Sequence, residues 1–327
     1  MKREGWIDIM KGLAILAVVF DHASFIYPKF QNIYLWQHSF FSITWFVFLS
    51  AVTNTFSSMK KTSPPLVFIL LFWLKRASAI IIPYVLATLV IYTYYNYPKI
   101  NAQQILTEIV NFSAQPTYYF INLLLELYLL FPFLYILVSK IKNKYWFVLL
   151  ILVVFFLSDK VFMRQIHIWP FYSMAMIFGG YYFFVFWLGI LYAKKIFHEN
   201  AIVIATLATV FIYYEVIINT TSVLLIRATN IHLILWSIAL LLLVKKSLEL
   251  LPLKKGIGYI LSILGRYSIF IYLLHYFFLD QATKYPIVSP IQFIGVFALS
   301  VLFSLMIGYI YTLVSYFLNS SIRKLGR

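Results

Sequence analysis

The residues best suited to chemistry lie in two stretches near opposite ends of the chain. One stretch places Lys11 and His22 in a run of otherwise mostly apolar residues, and the other places Arg266 and His275 in a second such run. An ionisable side chain costs at least about 2.5–3.5 kcal/mol at the centre of a bilayer. Groups this costly are usually retained for a task, and imidazole is the side chain best suited to proton transfer near neutral pH.

The spacing within the first stretch places both groups on one side of a helix. Lys11 and His22 are eleven residues apart, close to three full helical turns and about 16 Å. Asp21 projects about 100° away from His22, so we expect it to face an acceptor or headgroups rather than to orient the imidazole. Structural roles stay open, because Lys11 can extend to the headgroups and Asp21 with His22 can form an interfacial helix end.

The second stretch has a similar layout. One helix is expected to carry both groups, with Arg266 about nine residues, or 13–14 Å, from His275. Glu126 or a phosphate is the expected partner of Arg266, and an ion pair between Arg266 and Glu126 would equally suit a purely structural role, because buried charges need partners. His275 could also be a satisfied histidine that donates to a neighbouring helix.

The composition identifies the environment of the chain. Its 327 residues are 63% hydrophobic and only 11% charged, and the mean hydropathy is +0.90. This leaves too little polar surface to cover a water-soluble globule of that size. The sequence therefore predicts an all-α, polytopic membrane protein.

Apolar runs of about 20 residues predict about ten transmembrane helices within one integral-membrane domain covering residues 1–327. With both termini in the cytoplasm, most Lys and Arg residues fall on the cytoplasmic side, which explains the net charge of +16 without a nucleic-acid partner. Residues 66–74 are predicted to lie in the cytoplasmic interface, and Gly179-Gly180 to break the sixth span. The predicted spans are 6–27, 34–56, 77–95, 117–139, 145–158, 168–193, 201–219, 228–245, 257–280 and 289–317.

Several kinds of site are disfavoured. The chain has no cysteine, which excludes disulfides, thiolate metal sites and a Cys nucleophile. Its six histidines show no metal-ligand spacing, so no metal site is expected. His167, His198 and His232 receive no role.

A series of motifs resembles the membrane-bound acyltransferase-3 family. Lys11 and His22 are similar to its Arg/Lys-x10-His signature. Ala51 departs from that family's usual Gly, and Tyr119 from its Trp. In chain order, the other matching blocks are Phe46-Val-Phe-Leu-Ser50-Ala51, Lys75-Arg76 with Ile82-Pro83-Tyr84, Tyr119-Phe120-Ile121 with Glu126, Tyr128 and Pro132, Phe186-Trp187-Leu188-Gly189, and Leu264 through His275.

The resemblance implies acyl transfer across the membrane. The donor would be cytoplasmic acyl-CoA, most often acetyl-CoA, with no tightly bound cofactor. The acceptor would be a hydroxyl of a cell-surface polysaccharide or of its lipid-linked precursor. The expected location is the bilayer of a cell membrane, and the composition suggests a bacterial plasma membrane.

The residue types then suggest roles. His22 is the candidate base or acyl relay, with Asp21 and His275 as further catalytic candidates. Cations complement the phosphates of coenzyme A, and the acceptor would meet polar and aromatic groups. The candidates for the donor are Lys11, Lys75, Arg76 and Arg266, and those for the acceptor are Glu126, His38, Ser50 and Tyr119.

An alternative class is a transporter or exporter of a glycan intermediate, because a helix bundle with buried charges can move a solute. That class commonly has two halves with matching interrupted helices, and the sequence shows no such internal symmetry. The sequence therefore favours the enzyme.

Overall fold

The computed structural model describes residues 5–27, 41–59, 64–141, 144–158, 177–196, 231–250, 256–285, 287 and 289–325. Throughout these ranges the regular structure is helical, without a β-strand, which confirms the predicted all-α class. The α-helices are α1 (Gly5–Ile26), α2 (Phe41–Ser58), α3 (Pro65–Asn96), α4 (Ala102–Asn111), α5 (Tyr119–Lys140), α6 (Lys144–Leu157), α7 (Tyr181–Ala193), α8 (Ile231–Leu250), α9 (Ile257–Arg266), α10 (Ser268–Ala282) and α11 (Pro290–Leu325).

Within the described residues, four helical segments are long and apolar enough to cross a membrane. They are Gly5–Ile26, Pro65–Asn96, Pro116–Lys140 and Pro290–Tyr316, and the bent pair α9 and α10 would make a fifth. The predicted span 201–219 and the first parts of spans 34–56, 168–193 and 228–245 lie outside the described residues. The ten spans and the cytoplasmic termini stay predictions.

The third predicted span, 77–95, begins too late, whereas the interfacial location of residues 66–74 stays a prediction. α3 runs without interruption through those residues, through Lys75-Arg76 and through Pro83 to Asn96. Its first residue is Pro65, a favourable position because the first helical N–H needs no partner. At 32 residues, α3 is about 48 Å long against a hydrocarbon core of about 30 Å, so one helix can both cross the membrane and extend into the interface.

The described helices fall into two compact units. The first comprises Met1–Ser39 with Leu253–Arg327 and holds α1, α9, α10 and α11. α1 meets α9 through two glycines: a Cβ on Gly12 would collide with the backbone of Leu261, and one on Gly265 with the backbone of Asp8. Small residues allow helix backbones to approach this closely.

α9 and α10 are separate helices that meet at an angle of 83°. The break lies at Tyr267, between the last residue of α9 and the first of α10. The expectation that Arg266 and His275 share one helix is therefore wrong. Arg266 ends α9, whereas His275 lies in the middle of α10.

The second unit, Phe40–Pro252, holds α2 to α8. Gly179 and Gly180 have φ angles of +69° and +61°, which confirms the predicted break before α7, because glycine adopts positive φ without steric cost. α2 packs on α7 where Gly189 faces Ala51 and the backbone of Phe48. The indole of Trp45 donates to the carbonyl of Ser237 at 2.7 Å and joins α2 to α8.

Candidate active site

The first unit contains a direct contact between the two histidines singled out in the sequence. Nδ1 of His22 on α1 lies 2.7 Å from Nε2 of His275 on α10, a hydrogen-bond distance. The two rings stack with centroids 5.0 Å apart and planes 23° apart. The fold thus brings together two imidazoles that are 253 positions apart in sequence.

His275 is fully buried and is held by its own helix. Its residue exposure is 0%, and Nδ1 lies 2.9 Å from the carbonyl oxygen of Ile271 and 2.8 Å from that of Tyr272. A carbonyl oxygen can only accept a hydrogen bond, so Nδ1 of His275 must be the donor. The alternative raised by the sequence, a histidine that donates to a neighbouring helix, is replaced by donation within α10.

His22 is more accessible than its partner. Its side chain is 20% exposed, and its ring makes a T-shaped contact with the Tyr276 ring, with centroids 5.8 Å apart. A substrate atom can touch only exposed surface, and His275 has none. The asymmetry makes His22 the member of the pair that can meet a substrate.

Asp21 does not point away from His22 as the helical spacing suggested. Its Oδ2 atom lies 3.9 Å from Nε2 of His22, and its side chain is 26% exposed. This distance is too long for a hydrogen bond but short enough for an electrostatic interaction. Helical spacing fixes only the direction of the Cα–Cβ bond. The side-chain torsions of Asp21 then bring its carboxylate towards the ring of His22.

Arg266 pairs with Asp8, an acid to which the sequence analysis assigned no role. Nε of Arg266 lies 3.7 Å from Oδ2 of Asp8, and the Asp8 residue is only 2% exposed. The expected partner was Glu126 or a phosphate, whereas the partner in the structure is this acid on α1. Asp8 interrupts the same apolar run as Lys11, which is the signal that could have marked it. The Arg266 side chain is 53% exposed, so much of its donor surface stays open.

The other predicted binding residues belong to the second unit, except Lys11, which is half-buried on α1, and His38, which lies outside the described residues. Ser50 and Glu126 are buried, Tyr119 is half-buried and Lys75 is exposed. The Arg76 guanidinium lies 5.8 Å from the centroid of the Phe72 ring. The predicted roles of these side chains in substrate binding stay predictions.

Among the residues that the structure describes, no three His, Asp or Glu side chains converge to hold a metal ion. The candidate groups of the first unit are the imidazole pair, the carboxylates of Asp8 and Asp21, and the cations Lys11 and Arg266.

Comparison with known proteins agrees with the resemblance noted in the sequence. The model of the acyltransferase-3 family, described as an acyltransferase domain, matches residues 4–311, which is most of the chain. No curated protein and no solved structure matches the chain. The matched segment includes Lys11 with His22 and Arg266 with His275, and the chain belongs to the acyltransferase-3 family.

Proposed function

We propose that this protein is a membrane O-acyltransferase that uses acyl-CoA, with acetyl-CoA as the first donor to test. The acyl group passes from the cytoplasmic side to a hydroxyl of a cell-surface polysaccharide or of its lipid-linked precursor. The family supplies the class of reaction. The observation that carries the proposal further is the bond between His22 and the buried His275.

The reaction needs a base because a sugar hydroxyl is a weak nucleophile while it keeps its proton. His22 takes this proton as the hydroxyl oxygen attacks the thioester carbonyl carbon. The carbon–sulfur bond then breaks, and the coenzyme A thiolate leaves with the proton that His22 returns. A positioned base contributes about 10²–10⁴-fold to such a step.

Two cations of the first unit suit the donor. Coenzyme A carries several phosphate charges, which Lys and Arg side chains bind through charge-assisted hydrogen bonds. Lys11 lies about 16 Å from His22 along α1, and Arg266 is held beside Asp8 with half of its side chain exposed. We assign both to the phosphates, so that the thioester extends along α1 towards His22.

The test uses membranes from cells that produce the protein, with acetyl-CoA labelled in its acetyl group. We expect label to enter surface polysaccharide and His22→Ala to lower the rate by about 10²-fold or more. His198→Ala is the matched control and should transfer label normally. If the His22 variant reaches the membrane and acylates at the normal rate, His22 is not the base.

The export alternative finds no support in the family match. An exporter would lose surface glycan when inactivated, with the acylation of the remaining glycan unchanged. Inactivation of an acyltransferase should instead leave the amount of surface glycan unchanged and abolish its acylation.

A further inference from the structure

The position of the protons in the histidine pair can be derived from the acceptors around it. Nδ1 of His275 faces two backbone carbonyl oxygens at 2.9 and 2.8 Å, so it carries a hydrogen. A neutral imidazole has one N–H and one bare nitrogen. Nε2 of a neutral His275 is therefore a hydrogen-bond acceptor directed at His22.

The short contact between the rings then needs a hydrogen from His22. With a bare Nε2 on His275, the 2.7 Å contact forms only if Nδ1 of His22 is the donor. The reverse arrangement would make His275 an imidazolium at a site with no exposure, and an isolated charge there is strongly disfavoured. Removing the hydrogen from Nδ1 of His275 instead would place its lone pair against two carbonyl oxygens.

We infer that His275 is a positioning residue that fixes the tautomer of His22, so that Nε2 of His22 is the nitrogen that acts on substrate. This inference rests on the proposed function and names the reacting atom within it. The bare Nε2 lies on the side of the ring where Oδ2 of Asp21 approaches to 3.9 Å. The acceptor hydroxyl therefore approaches His22 beside Asp21.

The proton balance is complete with these groups. Nε2 of His22 accepts the hydroxyl proton and the ring becomes an imidazolium, while Nδ1–H stays bonded to His275. His275 takes up no second proton, because a proton on its Nε2 would create an imidazolium at a fully buried site. The nearby Asp21 carboxylate stabilises the transient cation, and Nε2 returns the proton to the departing thiolate.

Two substitutions of His275 test the roles of its two ring nitrogens one at a time. Gln places its terminal oxygen near the former Nε2, so His275→Gln keeps an acceptor for Nδ1–H of His22. Asn ends near the former Nδ1, so His275→Asn keeps a donor for the carbonyl of Ile271 but no acceptor for His22. The two variants are both amides and differ by one methylene, which makes them a matched pair.

The first measurement is side-chain ¹⁵N NMR of the full-length, histidine-labelled protein in detergent micelles without substrate, with His22→Asn used to identify the signal of His22. We expect the proton of His22 on Nδ1 in the wild type and in His275→Gln, and a mixture of tautomers in His275→Asn. A wild-type His22 that carries its proton on Nε2 overturns the inference, even if neither variant folds.

The second measurement is acetyl transfer from acetyl-CoA to surface polysaccharide. We expect His275→Asn to lower kcat about 10²-fold with KM for acetyl-CoA unchanged, and His275→Gln to recover most of that loss. Equal kcat values in a folded Asn variant and the wild type would contradict the positioning role. If the wild-type protein transfers no acetyl group, the proposed function fails, whereas the NMR result still decides the tautomer.

Discussion

At the scale of single residues, the hydrogen bond between His22 and His275 orients the base without adding a charged group to the site. A carboxylate in place of His275 would add a full negative charge to a buried position, which is costly in an apolar environment. A second neutral imidazole supplies the same acceptor at lower cost. Because two carbonyls of α10 in turn hold His275, the geometry of the pair depends on the backbone of that helix.

Removal of the Lys11 charge should weaken donor binding. Loss of a hydrogen bond to a charged group costs about 1.5–3 kcal/mol. We therefore expect Lys11→Ala to raise KM for acetyl-CoA about tenfold or more while kcat changes little, and Lys11→Arg to retain binding. Lys284→Ala, at an exposed position beyond α10, is the control. An unchanged KM in Lys11→Ala would mean that cations other than Lys11 bind the phosphates of coenzyme A.

The ion pair of Asp8 with Arg266 should contribute little to stability despite the burial of Asp8. Arg266 is 53% exposed, and on the cytoplasmic side, from which the proposed donor must reach it, water screens such a pair, whose coupling is typically about 0.2–1 kcal/mol. A double-mutant cycle with Asp8→Asn and Arg266→Gln, followed by unfolding in detergent, measures this coupling. A coupling well above about 2 kcal/mol would indicate a fully desolvated pair.

At the scale of helices, the first unit depends on the contact of α1 with α9 at Gly12 and Gly265. A methyl group at either position would collide with backbone atoms, which cannot move aside as a side chain can. The contact also holds Asp8 next to the residue that ends α9, so the pairing of Asp8 with Arg266 follows from the packing.

Alanine at Gly12 should destabilise the protein. Overpacking costs about 1–3 kcal/mol, and a backbone collision belongs at the upper end of that range. We expect Gly12→Ala to lower the midpoint of thermal unfolding in detergent, and Gly265→Ala to do the same. Gly295→Ala is the matched control, because a Cβ there meets no atom within 4 Å, and it should unfold no earlier than the wild type. Equal midpoints for Gly12→Ala and Gly295→Ala would show that α1 and α9 can separate at little cost.

The sequence predicted helices better than their junctions. Long apolar runs such as 6–27 and 117–139 correspond closely to Gly5–Ile26 and Pro116–Lys140, because hydrophobic length alone defines them. It predicted one helix over 257–280, where the structure has a break at Tyr267 with no proline to mark it.

The cost of ionisable groups in apolar runs identified both His22 and His275. Their contact was not predictable, because a single sequence does not state which distant helices touch.

At the scale of the whole molecule, the main prediction still to be tested is its orientation in the membrane. The excess of Lys and Arg on one side predicts cytoplasmic termini. The chain has no cysteine, so single cysteines can be introduced without background labelling. Lys99 and Lys246 are both exposed and are predicted to lie on opposite sides.

A membrane-impermeant maleimide should therefore label Lys99→Cys in intact cells. Lys246→Cys should react only after the cells are permeabilised. Because both positions are exposed in the structure, a difference in labelling reports the side of the membrane rather than burial. Labelling of Lys246→Cys alone in intact cells would reverse the predicted topology and place the donor cations on the wrong side.

The close contact at Gly12 and Gly265 limits the motions open to the enzyme. No side chains lie between the two backbones there that could change rotamer and let one helix slide along the other. We therefore expect α1 and α9 to move as one rigid body, so that the backbone spacing between Lys11 and Arg266 stays fixed. Any opening that admits an acceptor or releases a product has to come from helices outside this pair.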